Sequence, residues 1–485
     1  MLEYRAKSQI EKCLLLLFRF LCFIWMVIFF PLNVDGQTLE FSGFRQQVLE
    51  NHPLLRQADL YQDQATAALI RAKGGFDPKA YAEHSGKNFN GKTYFQYSEA
   101  GIKLPTWAGL ELKGAYNIAA GSFLNSENAL PENGQASFGL NWSLGQGLLF
   151  DERRAGLEMA RAGLEMGEAE RSAARNDLLF EATKAYWTWN FTENAVRIVS
   201  DALRQAEIRH EGLRESFLQG ERSAIDTLET YIQIQNRQLE LQFARVDLQN
   251  AALALTTYLW DSDNQSIVAE NLPEAPVLLS AGLEIDPGLS SDNLLQAALL
   301  QHPELKLYQV KLRQLSTEQK LKLEKRKPVL DLSYYLLGNN WQFFPTATAE
   351  GPAMLANDVK WGVNFSYPIL NRKARGDWQV TRIKIAQTEL DLQQKQQNVA
   401  VKVRQYINDL QNLQAQTSLF RDMTANYRRL LDAENERFLI GESAVFLVVT
   451  REQRWLDAQL KYLKLLSELR KAESGVLWAA GVLGK

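Results

Sequence analysis

Two acidic side chains, Asp226 and Glu229, are the pair whose types and spacing most directly suggest chemistry in this chain. They are three residues apart, so on a helix they lie on one face. Carboxylates that are held close together repel one another and can bind cations strongly. The pair is therefore a candidate cation-binding site, and the alternative is that both side chains belong to a solvated helix face.

Catalytic chemistry has little support elsewhere in the sequence. The chain contains four histidines, and neither a glycine-rich phosphate loop nor a His-Glu-x-x-His motif occurs. His52 and His302 each precede a proline and are expected to cap helices. Trp187 and Trp189 are expected to pack in a helix core. We therefore predict a protein that is not an enzyme and that holds no cofactor and no resident metal ion.

The first 36 residues have the features of an export signal. Basic residues precede the apolar run Phe20–Phe30, which suits a signal peptide and is short for a membrane span. Val34-Asp35-Gly36 offers a cleavage site before Gln37, and an uncleaved anchor is the alternative. Because Cys13 and Cys22 both lie in this leader, the mature chain is expected to have no disulfide and no thiolate metal site.

The composition excludes two classes of protein. The formal net charge of -3 gives no basic excess, so nucleic acid is not an expected partner. The mean hydropathy of -0.28 is too low for a bundle of transmembrane helices.

The same motifs occur twice in the same order. Three motif pairs carry this repeat: Asn51-His52-Pro53 with Gln301-His302-Pro303, Phe138–Leu144 (FGLNWSL) with Trp361–Tyr367 (WGVNFSY), and the Phe-Leu-x-Gly turns that end in Gly220 and Gly441. The second turn is aligned with one residue fewer than the first. The sequence thus predicts that an ancestral unit is duplicated.

The repeat divides the chain into four segments. We assign residues 1–36 to the signal peptide, 37–260 to the first repeat, 261–293 to a linker and 294–485 to the second repeat. Each repeat is expected to contain a helix, strands (79–144 and 329–368), a long helix and a further helix.

The long helices are predicted from their length and hydrophobic period. In residues 373–440, apolar residues recur every seven positions from Val399 to Tyr427, which indicates a coiled-coil seam, interrupted at Thr417 and Thr424. Such a helix is about 100 Å long, and two short helices placed end to end have about the same length. We predict that Gly220 and Gly441 lie at the tips of the two rods.

The repeated strands are apolar on one face and polar on the other. In the second, Trp361, Val363 and Phe365 alternate with small or polar residues. A soluble sheet packed on a helix is one explanation, but the export signal and the long rods favour strands that cross an outer membrane. A single chain has too few strands to close a barrel, so closure requires several copies.

These features together resemble the TolC-like outer-membrane efflux and secretion channels. The most specific are the duplicated Phe-Leu-x-Gly turns and the Gly-x-Asn-x-Ser strands that lead into Arg153-Arg154 and Arg372-Lys373. The resemblance covers about residues 40–480. It implies an internally duplicated α+β membrane protein, with a long α-helical coiled-coil barrel and a shared transmembrane β-barrel to which each copy of a homotrimer gives four strands.

The resemblance also implies a function and partners. The protein would lie in the cell outer membrane, in contact with its lipid, with a helical tunnel in the periplasm. It would be a passive conduit for small molecules or proteins in a tripartite efflux pump or a type 1 secretion system. Its partners would be a periplasmic adaptor (membrane fusion) protein and an inner-membrane RND or ABC pump. The alternative is an exported coiled-coil scaffold that conducts nothing.

One departure from the family lies among the strands. Pro78 and Ser143 are 65 residues apart, whereas Pro328 and Ser366 are 38 apart. The extra length at 93–119 is predicted to form an additional hairpin. That hairpin would either enlarge the barrel or form an external flap.

The other departure lies at the tips. Family channels often carry acids six and nine residues after the second turn glycine, where this chain has Leu447 and Thr450. The first repeat has Asp226 and Glu229 at the same offsets. Under threefold symmetry we expect a mixed gate, with an apolar collar from the second repeat and a ring of carboxylates that favours cations. The turns at Gly220 and Gly441 are expected to dock the adaptor.

Overall fold

The computed structural model describes residues 38–124, 129–278, 292–339, 341 and 358–484. The predicted signal peptide, its cleavage site before Gln37 and residues 279–291 of the predicted linker lie outside these ranges. The helices of the described residues are α1 (Phe41–Asn51), α2 (Pro53–Lys73), α3 (Glu152–Leu218), α4 (Ala224–Thr256), α5 (Asp292–Gln301), α6 (Pro303–Glu324), α7 (Arg372–Leu439) and α8 (Val445–Ala479). The strands are β1 (Lys79–Phe89), β2 (Lys92–Pro105), β3 (Leu110–Ala120), β4 (Gln135–Ser143), β5 (Val329–Asn339) and β6 (Val359–Ser366).

Both His-Pro motifs start helices as predicted. Pro53 and Pro303 occupy the first positions of α2 and α6. The ring nitrogen Nδ1 of His52 accepts a hydrogen bond from the backbone N–H of Leu54 (3.1 Å), and His302 Nδ1 accepts one from Glu304 (3.2 Å). Each histidine therefore satisfies one of the free N–H groups of a helix start.

Two short helices, α1 and α5, lie outside the predicted plan. Each ends immediately before a His-Pro motif, because a residue that precedes proline is disfavoured in helical backbone. His52 accordingly has an extended backbone (φ -67°, ψ 127°). Phe44 and Val48 of α1 are buried, so this helix is held by its apolar face.

The long helices lie against pairs of short ones. α3 has 67 residues and α7 has 68, which makes each about 100 Å long. α3 packs against α2 and α4, and α7 packs against α6 and α8. α3 also contacts α6 and α8, so the two halves share one helical body. Among the helices of the described ranges, none combines the length and the hydropathy that a bilayer-crossing segment needs.

The predicted seam of α7 is partly buried: Val399 is buried, and Tyr406, Leu413, Phe420 and Tyr427 are half-buried. The more deeply buried line starts four residues later, and it includes Thr417. Val403, Leu410, Thr417 and Leu431 are all buried at intervals of seven or fourteen residues. Thr417 donates its hydroxyl to the carbonyl of Leu413 (2.6 Å). A threonine whose hydroxyl is bonded to its own helix fits among apolar side chains, so the seam is continuous.

The largest core surrounds the middle of α3. Trp189 is almost completely buried there and Trp187 is half-buried against the same cluster, which confirms that both tryptophans pack in the core. The side chain of Asn190 donates to the carbonyl of Pro276 (3.0 Å). The described part of the predicted linker is therefore attached to α3.

The strands form one antiparallel sheet in the order β1-β2-β3-β4-β5-β6. The predicted extra hairpin is β2–β3, and it lies inside the sheet between β1 and β4. The expectation of four strands from each copy is therefore wrong for this chain, whose described residues form a sheet of six. The hairpin widens the sheet by two strands. Because β2 pairs with β1 and β3 pairs with β4, the hairpin is part of the sheet and does not form a separate flap.

Candidate functional site

The two tip glycines have the left-handed backbone that was predicted. The φ angle is 80° at Gly220 and 82° at Gly441, and a side chain at either position would meet open space. The N–H of Glu221 donates to Ser216 O, and the N–H of Glu442 donates to Arg437 O, both at 2.9 Å. These bonds close the ends of α3 and α7 in the same way.

The two turns have equal lengths, so the alignment with one residue fewer in the second is wrong. The N-cap of α4 is Ser223 and that of α8 is Ala444, each three residues after its glycine. Ser443 instead bonds to the buried carboxylate of Glu434 (2.6 Å). That hydrogen bond, with Arg451 nearby, lowers the pKa of Glu434.

The tips lie together at one end of the helical body. The guanidinium of Arg222, in the first turn, lies 4.6 Å from the centre of the Phe438 ring, just before the second turn. Several large apolar side chains around both turns are exposed: Leu218, Ile225, Leu228, Leu439, Ile440 and Phe446. The tips thus present an apolar surface of the kind that mediates association.

The two acids at the tip have different environments. Asp226 forms a capping box with Ser223: its carboxylate accepts from the Ser223 hydroxyl (2.9 Å) and the Ser223 N–H (3.3 Å). Glu229 has no such bonds, and partial burial together with the charge of Asp226 raises its pKa. The predicted carboxylate pair therefore exists as two neighbouring groups, of which Asp226 also holds the start of α4.

The second repeat places its apolar residues on two sides of α8. Val445 and Val448 are buried in the chain's own packing. Phe446 and Leu447 are exposed, and Thr450 donates its hydroxyl to the carbonyl of Phe446 (2.8 Å). Phe446 and Leu447 are therefore the side chains available for the predicted apolar collar.

A buried polar cluster joins the two repeats near the tips and was not predicted. The carboxylate of Glu452 in α8 pairs with Arg209 of α3 and accepts from the Gln233 side chain of α4 (2.8 Å). The sequence contains a pattern that could have predicted the Arg209–Glu452 pair: Arg209 is eleven residues before Gly220, and Glu452 is eleven residues after Gly441. The cluster holds three helices in register just above the tips.

The sheet has one apolar and one polar face. The register places Phe138 opposite Leu336, Trp142 opposite Leu332, and Leu332 opposite Val363, so one face is apolar across β4, β5 and β6. Its large side chains are exposed in the single chain: Ile102, Phe138, Trp361, Val363 and Phe365. An exposed aromatic face of this kind suits lipid.

The polar face carries a bonded network. Lys113 Nζ is 2.6 Å from Glu99 Oε1, and Glu99 also accepts from the hydroxyls of Tyr81 and Tyr97. Tyr97 donates in turn to Asn117 (3.0 Å). The side chains on this face come chiefly from β1, β2 and β3, so the extra hairpin supplies much of its charge.

The β2–β3 turn lies at the end of the sheet that faces the helices. The ring of Trp107 in this turn stacks on Phe76, which follows α2, with 4.9 Å between ring centres. Arg154, in the first turn of α3, donates to the carbonyl of Leu148 (3.0 Å) close to Gly109. The hairpin is thus anchored where the sheet meets the helical body.

Residues 294–482 match the family model described as outer membrane efflux protein. The match covers 189 of the 485 residues, so the second repeat is the part of the chain that is similar to this family. The first half repeats its plan around a long helix of nearly equal length. No curated protein matches the chain significantly.

Solved structures share the fold of this chain over nearly its whole length. The Campylobacter jejuni CmeC outer membrane channel is 16% identical with a TM-score of 0.62, and the match covers 91% of this chain and 85% of that one. The Vibrio cholerae outer membrane protein VceC is 14% identical with a TM-score of 0.62, covering 91% and 95%. The Neisseria gonorrhoeae MtrE outer membrane channel, in its open state, is 16% identical with a TM-score of 0.64, covering 90% and 88%.

These matches confirm the predicted fold class. At such identities they establish a shared fold, which is a TolC-like helical body with an antiparallel sheet at one end. The resemblance drawn from the turns and strands of the sequence is likewise confirmed.

Proposed function

We propose that this protein is a trimeric outer-membrane channel. It would conduct small molecules or proteins passively from a periplasmic adaptor and an inner-membrane RND or ABC pump to the exterior. The observation that carries the proposal is the six-stranded sheet, which is apolar on one face, polar on the other and open at both edges.

The open edges support assembly with other copies. β1 and β6 each have one edge without a strand partner in the described residues. Unpaired backbone groups are costly in lipid, so a sheet of this kind must close into a barrel. Three copies supply six strands each, eighteen in all, and a barrel of roughly that size encloses a water-filled channel. The lipid-facing side would be the face that carries Trp361 and Phe365.

The tips support docking of the adaptor. Both glycine turns lie at the end of the helical body away from the sheet, and exposed apolar side chains surround them. A partner that covers these side chains would bury them from water, which favours association. The two repeats would supply two similar docking sites in each copy.

The gate that we propose is at the same end. Phe446 and Leu447 would narrow the tunnel with apolar side chains, and Glu229 with Asp226 would form a carboxylate ring once three copies assemble. Clustered acids favour cations in a pore. The pKa of Glu229 is raised first by partial burial and second by the charge of Asp226, so the neighbouring carboxylate acts on Glu229 already within one copy.

Cysteine crosslinking tests the assembly. Cysteines replacing Ala82 in β1 and Val363 in β6 are far apart in the sheet order of one chain but lie on edges that would meet between copies. Because both native cysteines lie in the predicted leader, a short bifunctional thiol reagent should give a covalent trimer in the detergent-solubilised protein. A series of cysteine pairs at neighbouring positions on each edge samples the register between copies. Single-cysteine variants are the control, and a series that yields only monomers contradicts the proposal.

Conduction separates the channel from the alternative of a non-conducting scaffold. Trimers reconstituted in planar bilayers should carry ionic current, and they should resist heating in detergent with a strong β signal in circular dichroism. A scaffold would give neither. Small-molecule efflux is distinguished from protein secretion by identifying the pump that co-purifies with the crosslinked protein.

A further inference from the structure

Four lysine residues from four strands lie in one row across the sheet. Lys79 pairs with Lys103 and Lys103 pairs with Lys113, and the same row continues across β4 and β5 to Lys360. Residues that pair directly across neighbouring strands lie on the same face. These four residues, here named the lysine row, therefore all lie on the polar face.

Most of the charge of the lysine row is not neutralised. Lys113 is paired with Glu99, as described above. Within the described residues, no carboxylate lies within ion-pair distance of Lys79, Lys103 or Lys360, although Lys103 Nζ lies 4.4 Å from the centre of the Tyr81 ring. Each chain thus contributes three uncompensated positive charges at one level of the sheet.

The other acids of the polar face lie in different rows. Glu83 pairs with Glu99 in a row that is farther from the helices than the lysine row. Glu111 pairs with Asn141, and Asp331 accepts a hydrogen bond from Ser143 (2.7 Å), both nearer the helices. Positive and negative charge are therefore separated along the strands rather than mixed within a row.

The position of the row excludes a role with lipid headgroups. The lysines lie on the face opposite the exposed aromatic side chains, and that aromatic face is the one suited to lipid. They also lie near the helix-facing end of the sheet, since Lys103 and Lys113 flank the β2–β3 turn. In a closed barrel this is the level at which the helical tunnel would open into the membrane pore.

We propose that the lysine row forms an anion-binding ring inside the pore, which favours cargo or solutes that carry carboxylate or phosphate groups. This inference rests on the proposed function, because three copies are needed to close the row into a ring. A ring of lysines on a pore wall favours anions, since its positive potential raises the local anion concentration. Two of the four lysines come from the β2–β3 hairpin, so the hairpin would bring a selectivity element as well as width.

Reversal potentials across planar bilayers test the ring. In a potassium chloride gradient, Lys79→Gln/Lys103→Gln/Lys360→Gln trimers should show a chloride-to-potassium permeability ratio at least about threefold below that of the unmodified protein, the effect of losing one charge about 6 Å from the ion in water. Lys103→Gln alone should give a smaller shift. Lys92→Gln, at the far end of the same strand, is the matched control and should leave the ratio nearly unchanged.

The design separates the ring from the channel itself. All variants share the same tip, so a difference between them reports on the sheet. Inorganic pyrophosphate should bind the detergent-solubilised trimer more weakly in the triple variant, and heat resistance of the trimer checks that it has folded. If the triple variant and the unmodified protein have equal permeability ratios and bind pyrophosphate equally, the lysine ring is wrong and the channel proposal is unaffected. Trimers that carry no current at all overturn both proposals.

Discussion

At the residue scale, a substitution at a turn glycine is the most direct test of the docking proposal. Gly441 has φ 82° with open space around the missing side chain, so a substitution changes backbone strain and little else. Gly441→Val should cost about 1–2 kcal/mol locally, because a β-branched residue resists left-handed backbone. We expect trimers to assemble while export in cells falls sharply. Gly441→Asn is the control and should export, since asparagine tolerates this conformation. Normal export by the valine variant would show that docking lies elsewhere.

The tip acids make a second prediction at this scale. Replacing Asp226 by alanine would also break the capping box that it forms with Ser223, so the pair is tested by Glu229→Gln with Asp226→Asn, which keeps a polar side chain at this position. Cation selectivity and block by multivalent cations should both decrease in planar bilayers. Glu221→Gln, in the turn itself, is the comparison. If the double variant conducts as the unmodified protein does, both acids lie outside the pore.

The two capping histidines predict how stability depends on pH. Burial lowers the pKa of His52 and of His302 below the ordinary value of 6.5. As the pH falls, the unfolded chain is therefore protonated first, so stability is full above about pH 6.5 and declines below it. Protonated Nδ1 also can no longer accept the helix N–H. The variant His52→Asn/His302→Asn keeps both caps without titrating. The midpoint of thermal unfolding, followed by circular dichroism from about pH 7.5 to about pH 5.5, should depend less on pH in this variant than in the unmodified protein. An equal pH dependence of the two midpoints would contradict the assignment.

Local features of single residues were predictable from the sequence. The His-Pro caps and the left-handed glycines follow from backbone preferences that act over a few residues. The capping box of Asp226 has a sequence signature as well, Ser-x-x-Asp, and could have been found. The Arg209–Glu452 pair had a signal as well in the equal distances from the two turn glycines, whereas Gln233 had none, because it reaches Glu452 from a third helix.

At the element scale, the β2–β3 hairpin makes the sharpest prediction. Deleting residues 92–120 would remove β2 and β3. β1 could then pair with β4, because β4 runs antiparallel to β1 just as β2 does. Barrel diameter grows roughly in proportion to strand number, so the membrane section of the pore should lose about half of its cross-section. Polyethylene glycols applied from the sheet side should then be excluded at a smaller size. Heat-resistant trimers verify assembly, and an unchanged exclusion limit would place the hairpin outside the barrel wall.

The elements themselves were predictable to different degrees. The helices α3 and α7 follow from a long hydrophobic period, which is a strong signal. The short helices α1 and α5 have no comparable pattern. The position of β2–β3 within the sheet depends on pairing between distant segments, which alternation in one strand does not encode. The lysine row could not be predicted for the same reason, since Lys79 and Lys360 lie on opposite edges of the sheet and share one row only through the register of all six strands.

At the scale of the whole molecule, the leader and the sheet both predict that the mature protein lies in the outer membrane. Fractionated cells should contain a mature protein that begins near Gln37 in the outer membrane. The apolar face of the sheet suits that membrane, whereas the helices of the described residues contain no span. N-terminal sequencing together with fractionation is the measurement. A variant in which basic residues of the leader are replaced by glutamine should stay in the cytoplasm, and a protein that keeps residues 1–36 in the inner membrane would contradict the prediction.

The nearly equal lengths of α3 and α7 constrain how such a chain can evolve. Both tips are level because 67 residues in one half are matched by 68 in the other. An insertion of seven residues into α3 alone would displace its tip by about 10 Å, which would separate Arg222 from Phe438. The same insertion would move Arg209 out of reach of Glu452. A lineage that lengthens or shortens this protein must therefore change both halves together, so gains and losses in the two repeats should be inherited in pairs.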